Sequence, residues 1–183
     1  MARSELVRQA RDGDPDAYDV LVTELVDHLY RIARLILRDY DSAEDAVQEA
    51  LVRCWRDLPR LRDPDRFDAW LNRILLNAIT DEARRRRRFG ASLTVLRMEP
   101  ALPDGIGALA DRDELDRIFG RLSINHRTVV VLHYYLGLTV DEAATTIGIP
   151  VGTAKSRLHY ATEALRAALE ADARGVSAGG ATA

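Results

Sequence analysis

The sequence contains almost no cysteine, and this scarcity limits the kinds of site that the protein can hold. Cys54 is the single cysteine among 183 residues, so the chain can form no internal disulfide bond and no zinc site built from cysteines. Long apolar runs are also absent, which argues against a bilayer-spanning segment and a secretory leader. We therefore expect a cytoplasmic protein without membrane insertion.

Familiar catalytic and metal-binding motifs are missing as well. The chain has neither the G-x-x-x-x-G-K-[ST] loop that holds nucleotide phosphates nor the H-E-x-x-H pair of zinc proteases. The acidic cluster of Asp41, Glu44 and Asp45 lacks the spacing of a calcium-binding loop, and the histidines are scattered along the chain. We expect neither enzymatic activity nor a cofactor nor a bound metal.

Lysine is nearly absent too, and the charges that remain are unevenly distributed. Lys155 is the one lysine among 26 basic residues, and the net charge is −3. Residues 1–58 carry −5, residues 59–90 carry +4, and each of the two following segments, 91–137 and 138–183, carries −1. This asymmetry favours an acidic surface for a protein partner beside a basic surface for nucleic acid, although solvated helix faces would have the same composition.

The N-terminal half has the apolar spacing of helices throughout. One stripe consists of Leu21, Leu25, Leu29, Ile32, Ile36 and Leu37, and a second consists of Val47, Leu51, Trp55 and Leu58. Ser42 is placed to cap the second helix. On that helix Asp45, Gln48 and Glu49 share the face opposite the apolar stripe, where they form either a binding site or an ordinary solvated surface.

A third helix follows the loop at Asp63-Pro64. Its apolar stripe consists of Phe67, Trp70, Leu71, Ile74, Leu75 and Ala78, and its other side carries Arg73, Leu76, Asn77, Thr80 and Arg84. Five consecutive arginines, 84–88, then repel one another and require nearby anions. Phosphate is the natural partner, whereas the simpler alternative is a frayed basic helix end that the helix dipole favours.

The segment 138–161 predicts two short helices joined by a tight turn. Thr139 and Glu142 have the spacing of a capping box, so the first helix should start at Val140. Gly148 can end that helix, and Pro150 suits the first position of the next one.

The second helix of this pair has one apolar face and one polar face. The apolar stripe consists of Val151, Ala154, Leu158, Ala161 and Leu165. The outward residues are Thr153, Ser156 and Tyr160, with Lys155, Arg157 and His159 on the flanks. Hydroxyls and cations of this kind can contact base edges and phosphates, although an ordinary helical hairpin would also have a polar face.

Together these features resemble the extracytoplasmic function group of bacterial RNA polymerase sigma factors, within the sigma-70 family. The resemblance covers roughly Leu6 to Ala168. The matching motifs are Gly13-Asp14, the DAEDxxQE-like segment from Ser42 to Glu49, FxxWLxRIxxNxxxD from Phe67 to Asp81, and GTxKSRLxxA from Gly152 to Ala161. Each motif is short, but their order and spacing together are highly specific.

The resemblance implies an all-α protein with two small helical domains. Residues 1–89 would bind core polymerase and the −10 element, residues 90–111 would form a flexible linker, residues 112–172 would form a helix-turn-helix domain for the −35 element, and residues 173–183 would be a disordered tail. Such a protein is a transcription initiation factor. Its partners would be the β′ clamp and β flap of core RNA polymerase, promoter DNA and an anti-sigma factor, and it would associate with the nucleoid when active.

Carried over position by position, the resemblance also assigns residues to each contact. Polymerase binding falls on Asp45, Gln48 and Glu49. Recognition of the −10 element falls on Arg62, Asp63, Arg66, Arg73, Asn77, Thr80 and Arg84, and recognition of the −35 element falls on Thr153, Lys155, Ser156, Arg157, His159 and Tyr160. The chain departs from the family pattern at Tyr160, where a basic residue is frequent, and at Leu122-Ser123, where a Leu-Pro pair is common.

Two other classes of protein share part of this pattern. A stand-alone repressor would use the same C-terminal helix pair, but it would dimerise on two half-sites and leave the acidic and basic N-terminal helices without a role. A sigma-like interaction protein that sequesters a partner would keep the acidic face but need no base-contacting face. Gel filtration distinguishes the repressor, and exposed Ser156 and Arg157 argue against the sequestering protein.

Overall fold

The computed structural model describes the backbone of residues 3–89, 117 and 119–179, with side chains as far as residue 170. All the regular elements in these ranges are helical, so the predicted all-α fold is confirmed. The predicted linker, 90–111, lies outside the described residues, as do residues 180–183 of the predicted tail. In the described part of the chain, no helix combines the length and the apolarity needed to cross a membrane.

Residues 3–89 form one compact unit. Its elements in order are α1 (Arg3–Arg11), α2 (Pro15–Leu37), α3 (Tyr40–Asp57), two 3-10 turns (Leu58–Arg60 and Pro64–Arg66) and α4 (Phe67–Phe89). Helix α3 packs against α2 and α4, and α4 also contacts α2, so the core lies between these three helices.

Local chemistry determines where α2 begins and ends. The Asp14 carboxylate accepts hydrogen bonds from the N–H groups of Asp16 and Ala17 at 3.0 and 3.3 Å, and Pro15 occupies the first turn. Arg38 ends the helix in the left-handed conformation, with φ of 59°. The predicted apolar stripe of α2 is buried except for its last residue, Leu37, which is half-buried.

The cap of α3 differs from the sequence prediction. Asp39 is the N-cap, since its carboxylate accepts a hydrogen bond from the Ser42 N–H at 2.9 Å. Ser42 lies inside the first turn and is buried, so the prediction of a Ser42 cap is wrong. Both residue types are good caps, and α3 starts at the earlier of the two candidates.

The buried face of α3 consists mainly of small side chains. These are Ala43, Ala46, Val47, Ala50 and Cys54, whereas Trp55, which the apolar spacing assigned to the core, is 41% exposed. The indole lies at the edge of the core against Tyr18, with ring centroids 4.8 Å apart. Burial raises the pKa of the Cys54 thiol to about 11, so the thiol is protonated at neutral pH and acts as a packing group.

Helix α4 is buried over a wider arc than one apolar stripe. Leu76, assigned by its spacing to the polar side, is only 5% exposed, so that prediction is wrong. The cause is the position of α4 against both α2 and α3, which covers two sides of the helix. Trp70 and Ile74 are only half-buried.

Residues 119–179 belong to the second compact unit. A helical turn at 119–121 precedes α5 (Ile124–Val130), which continues as a π-helical turn (Val131–Tyr135), and is followed by α6 (Val140–Ile147) and α7 (Val151–Gly179). Ser123 caps α5 by accepting a hydrogen bond from the His126 N–H at 3.4 Å. The core of this unit contains Leu122, Val130 and Ala161, with Phe119, Leu158 and Leu165 packed around them.

The capping box at the start of α6 forms as the sequence predicts. The Glu142 N–H donates to Thr139 Oγ1 at 3.2 Å, and the Thr139 N–H donates to Glu142 Oε2 at 2.8 Å, so α6 begins at Val140. Gly148 ends α6 with φ of 78°.

The beginning of α7 differs slightly from its prediction. Pro150 precedes the first helical residue instead of occupying it, and its carbonyl accepts the first hydrogen bonds of the helix from Thr153 and Ala154. Val151 is exposed, because the buried stripe of α7 starts one turn later at Ala154.

The backbone of α7 is helical as far as Gly179, a range that includes residues 173–179 of the expected tail.

The assignment of the α3 cap gives a direct stability test. Asp39→Ala should lower the free energy of unfolding by about 1 kcal/mol at neutral pH, because it removes the cap. Ser42→Ala leaves the capping carboxylate in place and should cost less. Urea denaturation of both variants measures the difference.

The effect of Asp39→Ala should also depend on pH. Burial acts to raise the pKa of Asp39, but hydrogen bonds from Ser42 and the Arg86 guanidinium outweigh it, so that pKa is lowered on folding. The contribution of Asp39 is therefore complete above the pKa of an unfolded aspartate, about 3.9, and is lost as pH falls through the lower folded value. A gap between wild type and Asp39→Ala that stays constant down to that pH would contradict the assignment.

Candidate polymerase and nucleic-acid interfaces

The acidic candidates on α3 line a groove between α3 and α4. Asp45, Gln48 and Glu49 are all exposed, and they border a cavity of about 430 Å³ together with residues of α4. The α4 side of the groove is formed by Ala78, Asp81, Glu82 and Arg85. The groove is open, and its lining carries both positive and negative charges. Such a groove is better suited to bind the surface of another protein than to bind a small apolar ligand.

Both carboxylates among the α3 candidates, Asp45 and Glu49, are already paired with arginines. Arg85 Nη2 lies 2.5 Å from Asp45 Oδ2, and Arg53 Nε donates to Glu49 Oε1 at 2.7 Å. Arg53 also donates to Asp81 Oδ2 at 3.0 Å, and hydrogen bonds from Arg53 to Glu49 and Asp81 raise the pKa of its guanidinium. The exposed face of α3 therefore carries a network of ion pairs in which carboxylates and guanidinium groups alternate. Apolar spacing alone does not predict these pairs.

The five arginines at the end of α4 divide into two groups. Arg85 and Arg86 turn back onto α3, where Arg86 Nη1 lies 2.9 Å from Asp39 Oδ2 and donates to Ser42 Oγ at 3.3 Å. Arg87 and Arg88 are exposed and form no ion pair with any other residue that the structure describes, and Arg84 is 3.9 Å from Asp81. Part of the repulsion within the run is thus relieved by carboxylates of the same chain.

The remaining candidates on α4 form one exposed row. Arg73, Asn77, Thr80 and Arg84 follow one another at intervals of three or four residues, and all four are exposed. Thr80 Oγ1 donates to the Leu76 carbonyl at 2.8 Å, while the side-chain amide of Asn77 faces solvent. This row offers two cations with an amide and a hydroxyl between them, a set of groups that can contact phosphates and base edges.

The candidates between α3 and α4 lie on an ordered turn. Asp63 caps the 3-10 turn Pro64–Arg66 by accepting a hydrogen bond from the Asp65 N–H at 3.1 Å. Its carboxylate also lies 3.4 Å from Arg66 Nε, while Arg62 is exposed. Asp63 therefore holds the turn that presents the two arginines.

The exposed face of α7 contains most of the candidates predicted for the second unit. Lys155, Ser156, His159 and Tyr160 are exposed, whereas Thr153 and Arg157 are half-buried. Ser156 Oγ donates to the Thr153 carbonyl at 3.0 Å, and its lone pairs remain available as acceptors.

One residue of this face has a partner that sequence reasoning missed. The ring of Tyr160 stacks on His126 of α5, with centroids 4.7 Å apart and planes inclined by 28°. Apolar spacing indicates which face a residue occupies but not which distant side chain covers it. In the part of the chain that the structure describes, no group of three or more potential metal ligands comes together.

Comparison with known proteins identifies both units. A family model for sigma-70 region 2 matches residues 21–89, and a model for sigma-70 region 4 matches residues 112–165. The extracytoplasmic function (ECF) RNA polymerase sigma factor SigL of Mycobacterium tuberculosis is 39% identical over 146 residues, which span 78% of this chain and 82% of SigL. The ECF sigma factor SigW of Bacillus subtilis is 30% identical over 173 residues, spanning 87% of this chain and 92% of SigW.

Solved structures share the fold. CnrH, in complex with the cytosolic domain of CnrY, aligns with a TM-score of 0.66 and 29% identity over 94% of this chain and 99% of CnrH. The sigma factor RpoE of Bartonella quintana, in complex with the anti-sigma factor NepR, aligns with a TM-score of 0.69 over 85% of this chain and 98% of RpoE. Its sequence identity is 24%, so this likeness concerns the fold alone.

The division of the arginine run predicts unequal effects of two matched variants on binding to single-stranded DNA. Replacing Arg87 and Arg88 with glutamine should lower the salt dependence of binding by roughly 0.7 in slope for each lost phosphate contact. Replacing Arg85 and Arg86 removes the same charge but should lower the slope less, because these side chains are engaged with α3. Titrations at several salt concentrations measure both slopes, and equal slopes for the two variants would contradict the division.

Proposed function

This chain belongs to the extracytoplasmic function group of the sigma-70 family, and on that premise we propose how its two helical units perform transcription initiation. The protein binds core RNA polymerase, directs it to specific promoters through the −35 and −10 elements and assists opening of the duplex. It is an initiation factor and not an enzyme, since binding energy alone can drive strand opening.

A single observation carries this conclusion against the repressor alternative. One chain contains a region 2 unit followed by a region 4 unit, in the order found in the family. A repressor needs only the helix-turn-helix and would leave the groove between α3 and α4 without a role. The exposed polar face of α7 likewise argues against a protein that only sequesters a partner.

In this proposal each candidate surface has one task. The face of Asp45, Gln48 and Glu49 contacts the β′ clamp, and the second unit contacts the β flap. The row Arg73, Asn77, Thr80 and Arg84, with Arg62, Asp63 and Arg66 on the preceding turn, binds the −10 element. Its non-template strand offers unstacked bases to the amide and hydroxyl once it is unpaired.

The −35 element is contacted by the face of α7 that carries Thr153, Lys155, Ser156, Arg157, His159 and Tyr160. When the protein is active in the initiation complex, it is associated with the nucleoid. An anti-sigma factor is the partner that would hold it inactive. CnrH, 29% identical to this chain, is in complex with the cytosolic domain of CnrY in its solved structure.

The decisive experiment compares the protein alone with the protein bound to core polymerase. At physiological salt the free chain should give no specific footprint, because the exposed face of α7 has few cations to attract DNA. With core polymerase it should protect two separated elements and yield a defined transcript. A tight palindromic footprint from the chain alone, with no change in transcription start sites when the chain is added to core polymerase, would reject the sigma function in favour of a repressor.

A charge-reversal experiment tests the polymerase-binding face. Asp45→Arg with Glu49→Arg should weaken association with core polymerase at least roughly tenfold, because like charges in an interface cost several kcal/mol. The fold should survive, since Arg53 keeps Asp81 as a partner, Arg85 keeps Glu82, and exposed ion pairs contribute little. Co-purification with core polymerase measures the loss.

The matched control reverses Glu24 and Asp68, which are exposed and both paired with Arg3. This variant has the same change of net charge and also breaks two exposed ion pairs, but it lies outside the groove. It should bind polymerase as the wild type does. Wild-type association of the Asp45 and Glu49 double variant would show that the face has another role.

A further inference from the structure

We propose that His126 is a positioning residue for promoter recognition, because it holds the ring of Tyr160 in a fixed orientation on the DNA-facing side of α7. This inference rests on the proposed function, in which that side of α7 contacts the −35 element. It gives a residue outside the helix-turn-helix a part in the choice of promoter.

The geometry of the pair limits how the tyrosine ring can move. The centroid distance of 4.7 Å and the inclination of 28° are those of a stacked aromatic pair. His126 is half-buried on α5, while Tyr160 is 61% exposed on α7. One face of the phenol ring is therefore covered by the imidazole, and the rest of the ring is presented to solvent.

The imidazole also contacts Ser123, the residue that caps α5. Ser123 Oγ lies 3.1 Å from His126 Nδ1, and the same hydroxyl oxygen accepts the His126 N–H as the cap of α5. Since the hydroxyl contacts both the backbone and the ring of His126, the ring cannot rotate without losing a contact. Ser123, His126 and Tyr160 thus form one chain of contacts, the Ser123–His126–Tyr160 cluster, from the start of α5 to the exposed face of α7.

The chemistry of a tyrosine explains why a fixed ring matters. A cation attracts phosphate from many orientations, whereas a tyrosine gains from DNA only through close contact, either of its ring with a thymine methyl group or of its hydroxyl in a hydrogen bond. Such a contact depends on the orientation of the ring, so holding the ring before binding reduces the ordering cost. The stack on His126 provides this preorganisation.

The test is a double-mutant cycle in complete holoenzyme, with transcription measured on a promoter library randomised across the −35 element. Tyr160→Ala should flatten the preference at one −35 position by about five- to tenfold, which is at the lower end for loss of a base contact. His126→Ala should flatten the preference at the same position by about two- to tenfold, the range expected for an aromatic pair. The double variant should be no worse than Tyr160→Ala.

Two further variants separate positioning from a structural role. His126→Phe keeps the stack but loses the contact with the Ser123 hydroxyl, and it should retain most of the wild-type preference. Asn125→Ala changes the exposed neighbour of His126 on the same turn and should have no effect. Tyr160→Arg should raise the salt dependence of promoter binding by about one phosphate contact, roughly 0.9 in slope, and should make recognition insensitive to His126.

The alternative is that the stack merely ties α5 to α7. In that case His126→Ala would lower transcription equally from every promoter, or its effect would add to that of Tyr160→Ala, and either result would overturn the proposal. A wild-type holoenzyme that gives no promoter-specific transcript would instead reject the proposed function, so the two failures are distinguishable.

Discussion

Close packing of α3 against its neighbours determines where the candidate binding residues of the first unit lie. The buried face of α3 consists largely of alanines, and small side chains allow helices to approach closely. Because α3 and α4 run alongside each other, arginines of one helix reach carboxylates of the other, as in the pairs Arg53–Asp81 and Arg85–Asp45. The acidic face and the basic end of α4 are consequently neighbours across one groove and not independent surfaces.

In the second unit the corresponding constraint is the tight turn before α7. The capping box at Thr139 and the left-handed Gly148 set the boundaries of α6, and packing around Ala161 then fixes the rotation of α7. That rotation places Ser156 and Tyr160 outward and brings Tyr160 over His126. The polar face of α7 is thus specified partly by local capping and partly by its contact with α5.

The sequence predicts most clearly the features that depend on neighbouring residues. The start of α6 at Val140 and its end at Gly148 follow from side chains within one helical turn of each boundary. The apolar face of α2 follows from the spacing of residues along the same helix. Where two good caps lie close together, as with Asp39 and Ser42, local chemistry does not decide between them. Leu76 shows a second limit, since a helix covered on two sides buries residues outside its main stripe.

Pairings between distant residues could not be predicted from the same information. Apolar spacing correctly placed Asp45 and Tyr160 on exposed faces, but it cannot indicate that Arg85 would reach the first or His126 would stack on the second. These contacts depend on the distance and rotation between whole helices, which are set by packing. The family resemblance likewise assigned residues to surfaces, but it did not indicate which other side chains of the chain they contact.

The pairing of Asp45 with Arg85 has a physical consequence for any partner of the acidic face. Both side chains are more than half exposed, at 55% and 57%, and exposed ion pairs of this kind are worth about 0.2–1 kcal/mol. A basic partner can therefore displace Arg85 at small cost, and the displaced guanidinium still has Glu82 within 2.6 Å. The ion pair with Arg85 compensates the charge of Asp45 in the free protein, and the carboxylate can still bind a partner. The internal pairing of this face is therefore compatible with a role in binding.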